Sequence, residues 1–131
     1  MYNLILPKLY LGDLQDSLQF AKDYPDGHII VVLEDRPQNE PMQAIHVPVK
    51  TSSGHVHDNQ LNKVACIIDA LLGQNKPLLV HCAAGIERSP LTVAWYLHKY
   101  HKFSMDGAYE TIKRKRPQIA DRQIWLVIDH D

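Results

Sequence analysis

Cys82 and Arg88 lie six positions apart, with Gly85 between them and Ser89 directly after. These residue types at this spacing suit a reaction at phosphorus. A thiol held where a helix begins, close to an arginine, is favoured as the nucleophilic thiolate. Arg88 offers a planar fork that grips two oxygens of a phosphoryl group, a geometry that a lysine ammonium does not match. Ser89 is placed to hydrogen-bond the sulfur when it departs again, and His81 can hold the loop through its ring N–H.

The flanking residues supply the elements that position this chemistry. Leu78-Leu79-Val80, bounded upstream by Asn75-Lys76-Pro77, reads as a short buried strand. Leu91 to Leu97 reads as a buried helix, with Pro90 tolerated in its first turn. Between them Ala83, Ala84, Gly85, Ile86, Glu87 and Arg88 form a candidate phosphate cradle, whose N–H groups point inward beside a helix N-terminus. The plainer alternative is a buried structural Cys ending a core strand, with Arg88 on a solvated helix start. The Cys–Gly–Arg spacing between strand and helix weighs against it.

The stretch His81-Cys82-Ala83-Ala84-Gly85-Ile86-Glu87-Arg88-Ser89 resembles the HCxxGxxR(S/T) signature of cysteine-dependent protein tyrosine phosphatases. The flanks resemble the small dual-specificity branch. Ile5 to Gly12 is similar to its opening strand, and Ala108-Tyr109, Ile112-Lys113 and Arg116-Pro117 to its closing helix and turn. The resemblance implies two-step catalysis without a metal or other cofactor. Cys82 attacks phosphorus while Arg88 and the loop amides stabilise the equatorial oxygens, and water then hydrolyses a thiophosphoryl intermediate.

The resemblance also implies a general-acid Asp on the loop after Val47-Pro48-Val49, where this chain has Thr51, thirty-one residues before Cys82. Asp58 is the nearest downstream carboxylate and the first candidate replacement, followed by His57 and then His55. A histidine titrating near neutrality suits the task. The competing reading makes Asp58 the N-cap of the next helix and the two histidines solvated loop residues.

A chain of 131 residues, 45% hydrophobic and 22% charged, predicts one domain spanning 1–131 with a single core. The net charge of -1 argues against nucleic-acid or membrane binding through bulk electrostatics. Two cysteines make no disulfide framework, and a thiolate enzyme needs a reducing compartment, which points to the cytoplasm. No signal peptide or apolar run of membrane-spanning length is evident.

In chain order, the patterns predict a strand over Lys8–Gly12 and a short helix within Leu14–Tyr24 with Leu14, Leu18 and Ala21 on its inner face. A strand follows over His28–Leu33, then a surface loop to Pro41, and a strand over Ala44–Val49 that Pro48 assigns to a sheet edge or an exit. After the loop Lys50–Asp58 comes a helix over about Asn59–Gly73, with Leu61, Val64, Ala65, Ile68, Leu71 and Leu72 inward. The last third reads as helices over 89–101 and 105–115, the second capped by Ser104, then a helical piece from Asp121. The fold class is α/β: a central mixed, mostly parallel sheet of four to five strands flanked by helices.

Other features read as structural. Cys66 packs as a small hydrophobe, with a protective disulfide to Cys82 as the alternative. His55 and His57 with His98 and His101 do not make a metal site, since nothing brings them together. The run Lys113 to Arg116 is a solvated face at a helix C-terminus, and Asp129-His130-Asp131 a mobile tail.

The reading is a monomeric phosphatase acting on phosphoprotein or phosphopeptide, with phosphotyrosine admitted to a shallow pocket and phosphoserine and phosphothreonine left open. The uncharged loop residues Ala83, Ala84 and Ile86 disfavour inositol polyphosphates. The alternatives are a non-catalytic phospho-binding module, an RNA 5′-triphosphatase-like phosphohydrolase, and a scaffold without phosphate chemistry.

Overall fold

The structure is a computed structural model and describes residues 1–129. In chain order its elements are β1 (Asn3–Leu6), β2 (Leu9–Gly12), α1 (Asp16–Asp23), β3 (His28–Val31), β4 (Ala44–His46), β5 (Val56–His57), α2 (Asp58–Leu72), β6 (Leu78–His81), α3 (Arg88–His101), α4 (Met105–Lys115) and β7 (Leu126–Val127), the last preceded by a 3-10 turn at Gln123–Trp125. The apolar runs of β3 and β6 lie side by side in parallel, Ile30 opposite Val80, at the centre of a five-stranded sheet of order β1-β2-β6-β3-β4. Strands buried on both faces have no polar alternation to show, which is why these two read as continuous hydrophobic stretches.

Each face has its own core. On one side Phe20 of α1 meets Ile29, Val31, Ala44 and Leu79. On the other, α2, α3 and α4 bury Leu61, Ile68, Leu91, Trp95 and Ile112 against Leu9, Ile30 and Val80. α3 is enclosed from Ser89 to Leu97, so the helix that follows the Cys82 loop is a core element. Four strands run parallel, β2, β6, β3 and β4, with Gly12 and Val31 both opposite His81. Their carboxyl ends therefore share one edge, with Cys82 at its middle, which is where open α/β sheets bind ligands. No helix among the described residues is long and apolar enough to cross a membrane.

Several elements depart from the sequence reading. The opening strand is a hairpin: β1 turns back through Pro7 and Lys8, whose φ of 69° reverses the chain, and pairs antiparallel with β2. The inner face of α1 is Asp16, Ser17 and Phe20, with Ala21 partly buried beside them as read, while Leu14 and Leu18 are exposed. Phe20 decides this, because it joins an edge-to-face cluster with Tyr2 and Tyr10 that two exposed leucines cannot match. β4 stops at His46, although Val47 and Val49 still donate to the carbonyls of Val31 and Val32. It is an edge strand, as Pro48 implied.

The loop Lys50–Asp58 contains β5, which pairs in parallel with β7 of the chain's last segment; the expected terminal helix is only a 3-10 turn and this strand. Such a two-residue pairing across the length of the chain leaves no local pattern. Asp58 is the first residue of α2 rather than its cap, and its Oδ1 accepts the N–H of Asp129 at 3.2 Å. Asp129 is thereby fastened; His130 and Asp131 lie outside the described residues. Ser104 caps α4 as read, accepting from the Gly107 N–H at 3.0 Å. Cys66 is exposed, since Val64, Ala65 and Ile68 take the inward positions of α2.

Candidate active site

The loop from Cys82 to Arg88 is built with its carbonyls facing away from the cleft. Ala83 O accepts from Leu14 N–H at 3.0 Å and Ile86 O from Ala120 N–H at 2.8 Å. Gly85 O and Ala84 O accept from Nε and Nη2 of Arg116, at 2.9 and 3.3 Å. Among the described residues, the backbone N–H groups of Ala83, Ala84, Gly85 and Ile86 make no hydrogen bond. A row of unpaired amides beside the start of α3 is an anion cradle. Gly85 is required at φ 67°, and a Cβ there would lie 2.5 Å from Gly12 O.

Cys82 lies on the floor of this cradle, 5% exposed, with Sγ 3.2 Å from the Oγ of fully buried Ser89. His81 is also fully buried, and its Nδ1–H donates to the carbonyl of Cys82 at 3.2 Å. Burial holds this imidazole below the usual histidine range, against the opposing pull of that hydrogen bond. A neutral ring thus fixes the backbone at Cys82. Arg88, at the first position of α3, is three-quarters buried, with Nη2 3.9 Å from Oε1 of Glu34.

The cleft above Cys82 has a volume of about 150 Å³ and is walled by Leu33, Ile86 and Trp125, with Glu87 and Arg88 at its rim. These three apolar side chains offer contact area to an aromatic ring. Trp125 is set by a chain of contacts: Arg122 lies over its ring at 5.2 Å and donates through Nε to Oε2 of Glu87 at 2.8 Å. The sequence reading missed Leu33, Arg122 and Trp125, because the wall exists only once the last segment folds over the loop.

Arg116 is the largest correction. It was read with Lys113, Arg114 and Lys115 as part of a solvated basic face, yet it is 2% exposed while the other three are open to solvent. Besides the two loop carbonyls, its Nη1 reaches Met1 O at 2.8 Å and Asn3 Oδ1 at 2.9 Å. Among the described residues no carboxylate pairs with it. A guanidinium held only by neutral acceptors leaves positive charge beneath the cradle, where an anion would bind.

The sequence-predicted residues divide into two groups. The structure brings His81, Cys82, Arg88 and Ser89 together around the loop. It does not bring the candidate acids to the cleft lining. His57 Nδ1 lies 3.1 Å from Asp129 Oδ1, Asp58 holds the Asp129 N–H, and His55 Nδ1 contacts Ser52 O at 3.3 Å. His98 and His101 are likewise engaged, with Phe103 O at 2.7 Å and the Tyr96 hydroxyl at 3.1 Å.

A phosphate-shaped loop around a buried thiol, at the carboxyl edge of this sheet, defines a class that sequence comparison makes specific. Residues 9–127 match the family model for the dual specificity phosphatase catalytic domain, and the chain belongs to that family. It is 32% identical to human dual specificity protein phosphatase 9 over 123 residues, covering 88% of this chain but 32% of that protein. It is 29% identical to the putative tyrosine phosphatase 123R of invertebrate iridescent virus 6, covering 93% and 92% of the two chains. The fold is similar to that of human DUSP28, with a TM-score of 0.78 at 18% identity over 95% of this chain and 86% of the other.

Proposed function

We propose that the chain is a single catalytic domain that hydrolyses phosphotyrosine monoesters on protein through a thiophosphoryl intermediate on Cys82. The observation that carries this reading is the loop's hydrogen bonding, with its carbonyls turned outward and the amides of Ala83 to Ile86 left unpaired around a thiol beside Arg88. In the first step the Cys82 thiolate displaces the ester oxygen from phosphorus. Arg88 and the loop amides receive the negative charge on the three equatorial oxygens. In the second step water displaces sulfur, and the Ser89 hydroxyl, 3.2 Å away, donates to the departing thiolate.

The apolar walls favour an aryl over an alkyl ester, because Leu33, Ile86 and Trp125 can cover a ring but find little on a serine phosphate. The phosphate loop makes its electrostatic contribution without a metal. A catalytic thiolate needs reducing surroundings, which favours the cytoplasm. A purely phospho-binding module would have no use for the Cys82–Ser89 contact.

The test is turnover of a phosphotyrosine peptide with metals chelated, wild type beside Cys82→Ser. Turnover that vanishes in the variant, while the peptide still binds, is the expected result. Binding without turnover in the wild type would replace the enzyme by a phospho-binding module.

A further inference from the structure

With Thr51 at the family's acid position and the three candidate replacements directed elsewhere, a proton donor for the departing oxygen has to be sought among the other described residues. We propose that Glu34, on the loop after β3, is that general acid. This deepens the phosphatase reading and rests on it. Glu34 Oε1 accepts the backbone N–H of Thr51 at 3.0 Å, so a carboxyl group stands where the residue of that position begins. The same oxygen lies 3.9 Å from Arg88 Nη2, which places it at the mouth of the cradle. Its neighbour Leu33 forms part of the cleft wall.

The other carboxylate of the rim, Glu87, is held at 2.8 Å by Arg122 and serves to position that residue. Asp13 is tied into the start of α1, its Oδ1 accepting from Asp16 N–H at 2.8 Å. Glu87 is as open, at 44% exposed, but is bound by its cation at 2.8 Å, whereas Glu34, 41% exposed, has its cation only at 3.9 Å. The charged group facing it is Arg88 of α3; the nearest titratable group of β4 is His46, whose Nε2 bonds the Leu33 carbonyl at 2.6 Å.

When a phosphoryl dianion enters, Arg88 turns its fork to the equatorial oxygens and Glu34 faces new negative charge. The proton passes from Glu34 to the ester oxygen as the P–O bond breaks, so tyrosine leaves as the neutral phenol and Glu34 as carboxylate. In the second step the carboxylate takes a proton from the attacking water as the P–S bond breaks, which restores the acid and releases phosphate and the Cys82 thiolate.

The test compares wild type with Glu34→Gln, which keeps an acceptor for the Thr51 N–H but has no proton to give. Both are assayed with chelator on p-nitrophenyl phosphate, whose leaving group needs no acid, and on phenyl phosphate, whose leaving group does. The expected result is that the rate ratio between the two esters widens by about hundredfold in the variant. The alkaline fall of kcat on phenyl phosphate should also disappear. Recovery of the phenyl phosphate rate by Thr51→Asp in the Glu34→Gln background would support the same placement. An equal loss on both esters, no loss on either, or an alkaline limb that persists overturns the assignment while leaving the phosphatase standing. No Cys82-dependent turnover of p-nitrophenyl phosphate by wild type overturns the phosphatase reading, and the assignment with it.

Discussion

Replacing Arg116 by Met tests whether the closing helix holds the phosphate loop in shape. Methionine keeps an apolar stem in the buried channel, so the loss reports on the guanidinium's hydrogen bonds rather than on a cavity. Of its four acceptors, Gly85 O is buried, and leaving it unpaired costs about 2 kcal/mol. Ala84 O, Met1 O and Asn3 Oδ1 are only partly buried, so water can replace the arginine there at roughly 0.5 kcal/mol each. Relief of the arginine's own desolvation offsets some of this. A net loss of about 3 kcal/mol follows, or roughly 10 °C in Tm for a domain of this size.

The assay is urea denaturation of wild type, Arg116→Met and Arg116→Lys, together with steady-state kinetics at a temperature where all three are folded. Lysine keeps the charge but has no fork, so it should recover part of the stability and of phosphate affinity. Methionine should raise KM and the inhibition constant for inorganic phosphate as well, because it removes positive charge below the cradle. A Met variant within 0.5 kcal/mol of wild type, a margin typical of surface substitutions, with unchanged phosphate inhibition, would refute the role given to Arg116.

Two further predictions concern the floor and the wall of the site. His81 is buried neutral, so on acidification the unfolded chain takes up a proton at its ordinary value of 6.5 before the folded one does. Stability should therefore fall as pH drops below 6.5, by at most about 1.4 kcal/mol per unit for this group. In His81→Gln that part of the slope should be missing; a stability difference between the two proteins that stays constant from pH 8 to 5 would contradict it. Trp125→Ala should lower kcat/KM for a phosphotyrosine peptide by about 3- to 10-fold, mostly through KM, the worth of one aromatic contact. Trp125→Phe should restore most of it, and an equal loss on a matched phosphothreonine peptide would show that the wall does not read the ring.

The sequence alone carried the local arrangement. Cys82, Arg88 and Ser89 are bound to one another by a short strand–loop–helix unit, so their spacing already implies their geometry, and the buried runs of β3 and β6 named the centre of the sheet. The α2 face and the Ser104 cap were legible for the same reason, because both are set within a turn or two of helix. What the sequence could not carry is every contact made across the chain. Arg116 looked like its three basic neighbours until the helix end was placed under the loop, where Gly85 and Ala84 needed a donor. Trp125 became a wall only through Arg122 and Glu87, thirty-five residues apart. The proposed acid is the clearest instance. Asp58, His57 and His55 were nearer to Thr51 along the chain, but the parallel pairing of β5 with β7 turns two of them toward Asp129, while β3, beside β4 in the sheet, brings Glu34 to the Thr51 backbone. Proximity along a chain is a poor guide where a loop ends in a new pairing, and only the sheet order decided which carboxylate meets the Thr51 backbone.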